Sequence, residues 1–337
     1  MENLQQLINE SANILITTHI SPDPDALCSL LLLGTTLKAN FPDKSVTMAT
    51  EELTGDLKAL YGYQDVKVGS LPAIIDELKP QLIFIVDAMS YKRCTRSDAE
   101  TARQSAVAAG AKLVIIDHHE PEGHDVAEVY INQGSPAAVQ DVYEVCFDRL
   151  GLSKPEGYAQ TAMLGLYSDT GGFIYENPRF KDTFKLISEL VEAGVSIEKI
   201  KFSLETYSLA TMKALAEIAA NLDQTQSYSF SYLSDETAQE LDNFDDAHMA
   251  VGLFANDYLR NIEGRQWGFL IYPDLRSGSG VYGVSFRAVA GVKDVSKIAN
   301  DLGGGGHKAA AGAKIKAASV QEALNVVHQT VEKAGDS

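Results

Sequence analysis

The sequence has few cysteines, and their arrangement excludes whole classes of site. Its 337 residues include three cysteines, Cys28, Cys94 and Cys146, and none of them forms a C-x-x-C pair. This odd number without paired spacing excludes a disulfide framework and a zinc ribbon, and is typical of proteins in a reducing compartment. The longest largely apolar run, residues 26–34, is far too short to span a bilayer. The first ten residues lack the pattern of a signal peptide, so we expect a cytoplasmic protein without a membrane partner.

Basic residues are also scarce relative to acidic ones. There are 28 lysines and arginines against 46 aspartates and glutamates, which gives a formal net charge of −18. A surface of this sign repels long polyanions, so a broad face for duplex nucleic acid is not expected. A small phosphorylated substrate remains compatible with this charge, because bound cations can invert the local potential.

The first half of the sequence alternates apolar strands with helical patterns. Helices are predicted over residues 26–40 and 71–78, between strands that bury both faces. This alternation is typical of a parallel sheet covered by helices on both sides, whose ligands bind beyond the carboxyl ends of the strands. The predicted strands are Asn13–Thr18, Ser45–Ala49, Gln81–Val86 and Lys112–Ile116.

The second half of the sequence has a different secondary-structure pattern. A helical stretch from about 181 to 222 precedes alternating, aromatic-rich segments (YSFSYL, WGFLIY and GVYGVSFRAV), a run of four glycines and a last helix over 319–333. The fold class is therefore α/β with two domains. We place a first α/β domain at 1–188, a helical linker at 189–225 and a smaller α/β domain at 226–337.

Acidic and imidazole side chains recur where the apolar elements of the first half end. Because the carboxyl ends of parallel strands meet at one edge of a sheet, we expect these groups to lie together. A single aspartate at a strand end is usually a turn former or a helix cap, but four such sites in one half of a chain are not explained that way. The groups are His19, Asp23, Asp25, Asp87, Asp117, His118, His119 and Asp169.

Such a cluster needs cations. Crowded carboxylates repel one another unless they are protonated or neutralised. Mixed carboxylate and imidazole ligands suit a pair of divalent ions, with Mn²⁺ expected and Mg²⁺ or Co²⁺ as alternatives. Two ions about 4 Å apart can activate water and stabilise both the attacking and the leaving oxygen of phosphoryl transfer.

A second candidate feature is the segment L-G-G-G-G-H-K, in which Gly303–Gly306 precede His307. A flexible hinge is the simplest interpretation of four glycines. Consecutive glycines also let backbone N–H groups approach a phosphate closely. Arg287, in V-S-F-R, and His307 could then add positive charge to phosphate recognition.

Taken together, these motifs resemble the DHH/DHHA1 phosphoesterase family over almost the whole chain. T-H-x-x-P-D-x-D-A-L, a strand-end aspartate, I-D-H-H, S-D-T-G-G-F and G-G-G-G-H occur in the family's order. The resemblance is to the branch that contains nanoRNases and 3′-phosphoadenosine 5′-phosphate phosphatases.

The resemblance implies a role for each residue. Asp117 would orient the histidines beside it, and His119 would face the scissile phosphate or the leaving group. One metal would be held by His19, Asp23 and Asp87, and the second by Asp25, Asp87, His118 and Asp169, with Asp87 bridging. The residues that would bind the substrate's terminal phosphate or sugar from the second domain are Arg287, Gly304, Gly305, Gly306 and His307.

Two positions and one segment depart from the family pattern. Pro24 and Cys28 stand where glycine is common, and the segment that contains Arg93 is not a close match, which leaves Arg93 as an unassigned candidate for a substrate contact. If the usual glycine before Asp25 has positive φ, proline would force the loop to adjust.

The expected activity is hydrolysis of short single-stranded RNA from an end, together with 3′-phosphoadenosine 5′-phosphate. Linear dinucleotides derived from cyclic messengers, or polyphosphate, are alternative substrates, because one fold serves several of them. A non-catalytic nucleotide-binding protein is a third interpretation, and it would be expected to lack a ligand. A homodimer is left open.

Overall fold

The computed structural model describes residues 2–53, 57–119, 123–241 and 244–334. The outer ends of the predicted domains, Met1 and Ser337, lie outside these residues. The chain forms two compact units, Met1–Thr206 and Tyr207–Ser337. The limits 1–188, 189–225 and 226–337 drawn from the sequence stay a prediction.

The first unit contains a six-stranded sheet with helices around it. Its strands are β1 Asn13–Thr17, β2 Ser45–Thr50, β3 Lys67–Val68, β4 Leu82–Val86, β5 Lys112–Ile116 and β6 Val129–Ile131. Its helices are α1 Glu2–Glu10, α2 Pro24–Asn40, α3 Leu71–Leu78, α4 Tyr91–Cys94, α5 Ala99–Ala109, α6 Ala138–Tyr143, α7 Tyr158–Asp169, α8 Phe180–Glu192 and α9 Ile197–Leu204. A π-helical turn, Glu144–Arg149, continues α6.

All neighbouring strands of this sheet are parallel, in the order β3-β2-β1-β4-β5-β6. Along β4, Phe84 and Val86 enter one apolar core while Ile83 and Ile85 enter another on the opposite face. A strand that is buried on both sides in this way is apolar throughout, which confirms the predicted parallel sheet covered on both faces. The strand order reverses between β1 and β4, and it is beyond the carboxyl ends at such a point that parallel sheets bind their ligands.

The second unit contains a mixed sheet. Its strands are β7 Asp223–Gln224, β8 Ser229–Tyr232, β9 Trp267–Pro273, β10 Val281–Ala288, β11 Gly305–His307 and β12 Ala310–Lys316. Its helices are α10 Leu209–Ala220, α11 Asp235–Glu240, α12 Phe244–Asp257, α13 Val295–Asp301 and α14 Val320–Ala334. The strand order is β11-β12-β10-β9-β8-β7, in which only the β8–β9 pair among these strands is parallel.

Residues Gly305–His307 form a strand, whereas the simplest interpretation of the four glycines in the sequence is a flexible hinge. Gly305 pairs with Gly312 of β12 and His307 pairs with Ala310. The glycines permit this because a Cβ at Gly304 would lie 2.1 Å from the carbonyl oxygen of Gly312. Close backbone packing therefore requires glycine at this position, whatever else the segment binds.

Within the described residues, no helix is both long enough and apolar enough to cross a membrane.

Candidate metal centre

The strand-end residues of the first unit meet at one edge of the sheet. His19 lies two residues beyond β1, Asp87 directly follows β4, and Asp117 directly follows β5. Strands β1, β4 and β5 are adjacent and parallel, so their carboxyl ends coincide. Asp25 lies in the first turn of α2, and Asp169 is the last residue of α7.

Two groups of ligand atoms share Asp87. In the first group, His19 Nε2 lies 3.8 Å from Asp23 Oδ2 and 3.5 Å from Asp87 Oδ2. In the second, His118 Nε2 lies 3.4 Å from the other oxygen of the same carboxylate, Asp87 Oδ1. Asp87 thus directs one oxygen toward each group, which is the arrangement expected of a bridging ligand.

Asp25 and Asp169 complete the second group. His118 Nε2 lies 3.4 Å from Asp169 Oδ2 and 4.0 Å from Asp25 Oδ2. One atom from each of Asp25, His118 and Asp169 falls within 4.8 Å of the others, and the same holds for His19, Asp23 and Asp87. A third combination that meets this criterion joins His119 to Asp87 and His118.

The donor set fits divalent cations. Two atoms that are each about 2.1 Å from one ion lie roughly 3.0–3.4 Å apart, which is close to the shorter separations here. The buried atoms Asp87 Oδ1 and His118 Nε2 have no hydrogen-bond partner within the described part of the chain, and buried polar atoms are rarely left that way. The oxygen and nitrogen atoms of the two groups could therefore hold metal.

The pKa values of these side chains show the same need for positive charge. Burial, followed by the charges of Asp87 and Asp169, raises the pKa of Asp25 well above its usual range. Burial, followed by the charges of Asp23 and Asp87, raises the pKa of Asp169 to about 7. Burial opposes ionisation of Asp87 too, but the nearby imidazoles of His118 and His19 outweigh it and lower the pKa of that carboxyl. Carboxylates this crowded stay ionised at neutral pH only beside cations.

The histidines respond to the carboxylates around them. Burial disfavours protonated His118, but Asp87, Asp25 and Asp169 overcome that effect and raise its pKa to about 10. The pKa of His19 is raised as well, because Asp87 outweighs the effect of burial. A strongly perturbed cluster of titratable groups is characteristic of functional sites.

Helix α2 begins inside this cluster, and Pro24 fits its first turn. Asp23 is the N-cap of α2, and its Oδ1 accepts from the N–H of Ala26 at 3.0 Å. Pro24 occupies the first helical position, where a missing N–H costs nothing and φ is already suitable. No positive φ is needed at residue 24, so the departure from glycine leaves the loop undistorted. Cys28 is also accommodated, because it faces Gly165 of α7, whose added Cβ would lie 3.1 Å from that of Cys28.

Asp87 has a strained backbone conformation. Its φ is +52°, in a region that non-glycine residues rarely adopt but that aspartate and asparagine tolerate best. Such conformations persist where the surrounding structure enforces them, often at functional sites. Here the strain follows from turning the chain sharply at the end of β4.

Asp117 orients both histidines that follow it. Its Oδ1 accepts from the backbone N–H of His118 at 2.8 Å and lies 2.8 Å from Nδ1 of His119. The hydrogen bond to Asp117 raises the pKa of His119, with burial opposing it. The His119 side chain is 48% exposed, so its Nε2 is left for a partner other than Asp117.

The predicted substrate-binding residues lie in the second unit. Arg287 of β10 and His307 of β11 both pair with Ala310 of β12, so they share one row across three neighbouring strands. Two strand spacings separate them, which corresponds to roughly 9–10 Å between backbones. Nε of Arg287 donates to Asn256 Oδ1 at 2.8 Å, and His307 is exposed.

Residues that support the centre are missed by the sequence analysis. The buried carboxylate of Asp141 and the guanidinium of Arg179 contact the segment that follows β6, close to His118. The available signal is an aspartate in the otherwise apolar stretch A-A-V-Q-D-V-Y, because an acidic residue facing a core needs a partner.

Known proteins share both the sequence pattern and the fold. Residues 13–166 match the model of the DHH family, N-terminal domain, and residues 242–333 match the DHHA1 domain. The bifunctional oligoribonuclease and PAP phosphatase NrnA of Bacillus subtilis is 26% identical over 312 residues, which span 90% of this chain and 89% of that protein.

Two solved structures carry the same fold. An exopolyphosphatase-related protein from Bacteroides fragilis superposes with a TM-score of 0.78 at 23% identity and covers 98% of this chain and 95% of its own. RecJ of Thermus thermophilus, solved in complex with Mn²⁺, has a TM-score of 0.51 at 16% identity over 99% of this chain and 53% of its own. The two domain matches together span most of the sequence, and the chain therefore contains a DHH domain followed by a DHHA1 domain.

Proposed function

We propose that this protein is a two-metal phosphoesterase that shortens small oligoribonucleotides from an end and hydrolyses 3′-phosphoadenosine 5′-phosphate. The observation that carries the proposal is the position of Asp87, whose two oxygens face two separate groups of ligand atoms. A relative that aligns over nine tenths of the chain is named a bifunctional oligoribonuclease and PAP phosphatase, which supports this substrate class.

Each ion would have its own ligands. One would be held by His19, Asp23 and Asp87, and the other by Asp25, Asp87, His118 and Asp169. Mn²⁺ is the metal we expect, because the donors combine carboxylate oxygen with imidazole nitrogen and include no thiolate. Divalent ions in this position supply an activated water and stabilise charge on the phosphoryl oxygens.

The protein's own groups would orient the reaction. Asp117 holds His119 by its Nδ1, so Nε2 is the atom that would contact the leaving oxygen or the scissile phosphate. Asp25 and Asp87 are fully buried or nearly so, which fixes their oxygens and keeps competing waters away. Arg287, His307 and the backbone of Gly304–Gly306 would bind the terminal phosphate or sugar of the substrate.

The complete ligand set argues against a non-catalytic nucleotide-binding protein, which could dispense with one or more of these side chains. A cytoplasmic location is part of the proposal, and it is supported by three cysteines that are all free and buried thiols.

An assay of purified protein on a panel of substrates tests the proposal. The panel holds dinucleotides, five-residue RNA, long single-stranded RNA, 3′-phosphoadenosine 5′-phosphate, linear dinucleotides derived from cyclic messengers and polyphosphate. We expect turnover that requires Mn²⁺, and much faster cleavage of two- to five-residue RNA than of long RNA, because the net charge of −18 repels extended polyanions.

Three results would change the account. Full activity after exhaustive chelation would exclude the metal mechanism. Equal rates on five-residue and long RNA at moderate salt would remove the size preference. Turnover of polyphosphate or of the linear dinucleotides alone would replace the substrate class while leaving the metal chemistry in place.

A further inference from the structure

Residues 135–139, here called the 135–139 segment, contact two candidate ligands through the backbone. The carbonyl oxygen of Ser135 lies 3.3 Å from His118 Nδ1. The N–H groups of Ala138 and Val139 donate to the two oxygens of Asp25, at 2.6 and 3.0 Å. Because these contacts involve backbone atoms, the orientation of both ligands depends on where the segment lies.

A buried carboxylate fixes the position of this segment. Asp141 is 0% exposed, and it accepts from the backbone N–H of Gln133 at 3.2 Å and from its side-chain amide at 3.1 Å. It also accepts a hydrogen bond from the hydroxyl of Ser135. The chain just before the segment and its first residue are therefore both attached to Asp141.

Arg179 supplies the opposing charge. Its Nη1 donates to the hydroxyl of Ser135 and lies 3.4 Å from Asp141 Oδ1, while Nη2 donates to Glu144 Oε1 at 2.7 Å. A planar guanidinium can serve two acceptors in fixed directions, which a lysine ammonium cannot do. Arg179 is thus the group that joins Ser135, Asp141 and Glu144.

We propose that Arg179 is a positioning residue of the metal centre, which acts through Ser135 and Asp141 to hold the 135–139 segment in place. The Ser135 carbonyl then accepts from Nδ1–H of His118, so that Nε2 is unprotonated and directed at the metal position. A partner of this kind on the far nitrogen of a ligating histidine sets its tautomer and orientation. Asp25 is held in the same way by the amides of Ala138 and Val139. The inference rests on the proposed function in one respect, that the cluster binds a divalent metal.

A purely stabilising role for Arg179 is the competing explanation. If the ion pair only supports the fold, its loss would lower the stability of the protein without altering its affinity for metal. Metal affinity of the folded apoprotein separates the two roles, because it reports the geometry of Asp25 and His118 without any substrate.

The test measures Mn²⁺ binding to the full chain by isothermal titration calorimetry, with thermal unfolding recorded alongside. Arg179→Met should weaken binding by about 10- to 100-fold, the usual range for residues that orient metal ligands. The Mn²⁺ affinity of Arg179→Lys should lie between that of Arg179→Met and that of the wild type. Arg103→Met is the matched control, since Arg103 also bridges two carboxylates of the first unit, Glu100 and Asp125, and neither contacts a candidate ligand.

Two further variants keep the inference testable if Arg179→Met fails to fold. Ser135→Ala removes the hydroxyl between Arg179 and Asp141 but keeps the carbonyl that faces His118, so it should weaken Mn²⁺ binding as well. The double variant with Arg179→Lys and Asp141→Asn should bind Mn²⁺ no more weakly than whichever of the two single variants binds it more weakly. The effects of two residues on affinity do not add when one acts through the other.

The outcomes are distinct. Mn²⁺ affinity of Arg179→Met, or of Ser135→Ala and Arg179→Lys, equal to that of Arg103→Met would overturn the inference and leave the proposed function standing. A folded wild-type protein that binds no Mn²⁺ would remove the proposed function and this inference together.

Discussion

The candidate metal ligands and the candidate phosphate-binding residues are held in different ways. Asp25 and Asp87 are almost completely buried, and backbone amides of α6 bind both oxygens of Asp25. His307 is exposed on a three-residue strand, and Arg287 bonds to a side chain of α12. The candidate metal ligands are thus held in a buried, fixed geometry, whereas Arg287 is only partly buried and His307 is exposed. Substitution of a candidate metal ligand in the first unit should therefore reduce activity far more than substitution of a candidate phosphate-binding residue in the second.

Removing the shared carboxylate should have the largest effect. Asp87→Asn keeps the side-chain shape and tolerates the φ of +52°, which alanine would not. We expect kcat to fall by more than about 10³-fold, since several kcal/mol of charge stabilisation depend on the bridging position. Kinetics with saturating Mn²⁺ check this, and Asp43→Asn, an exposed position outside the cluster, is the control.

The same variant should remain folded. Without metal, Asp87→Asn should unfold at a slightly lower temperature than the wild type near neutral pH, because His118 and His19 stabilise the ionised carboxylate despite its burial and lower its pKa. Near-normal turnover by a folded Asp87→Asn protein would contradict the bridging role.

Substitutions in the second unit should reduce activity less than Asp87→Asn does, and only on the natural substrate. Arg287→Ala and His307→Ala should each lower kcat/KM on a short oligoribonucleotide by about ten- to a hundredfold, or roughly 1.5–3 kcal/mol of charge-assisted bonding. Hydrolysis of a small synthetic phosphodiester without a terminal phosphate should be unchanged, and so should the amount of bound metal. Arg276→Ala is the control in the same unit.

Two other results would assign Arg287 and His307 a different role. A parallel fall on both substrates, or loss of metal, would show that Arg287 and His307 serve the reaction centre or the fold. Unchanged kinetics on the oligoribonucleotide would remove them from recognition.

The smallest effect concerns stability of the second unit in acid. His328 packs against Phe230 and its Nδ1 lies 2.7 Å from the hydroxyl oxygen of Tyr228. Burial lowers the pKa of His328 below 6.5, although Glu332 and Asp223 oppose that effect. Between the lowered pKa and 6.5 the unfolded chain binds more protons, so stability should decline as the pH falls below about 6.5.

Urea unfolding at pH 7.5 and pH 5.0 measures this decline. His328→Gln should reduce it, and His248→Gln, the matched control in the same unit, should leave it as in the wild type. The same decline in His328→Gln as in the wild type would assign the acid sensitivity to other groups.

The sequence predicted the first unit more completely than the second, for a physical reason. Every candidate ligand follows an apolar element, and in a parallel sheet the end of each strand leads to the same edge. The short edge strands β3 and β6 were missed, because two or three residues carry too little periodicity to be recognised. The strand at Gly305–His307 was missed because glycine has little strand propensity and tertiary packing against β12 overrides it.

The residues that hold the candidate ligands in position could not be predicted from the sequence in the same way. Arg179 and Asp141 are 38 positions apart and are joined only by the folded chain. Nothing in the local pattern around Arg179 distinguishes it from a surface arginine that precedes a helix. Residues that act through backbone atoms, as Ser135 does on His118, leave little trace in the sequence.

The central claim is that one shared carboxylate organises two metal ions, and anomalous diffraction from Mn²⁺-soaked crystals tests it most directly. The account predicts two anomalous peaks about 4 Å apart, with Asp87 between them, His19 and Asp23 beside one, and Asp25, His118 and Asp169 beside the other. A single peak, or two peaks that do not share Asp87, from protein that is active with Mn²⁺ would contradict it.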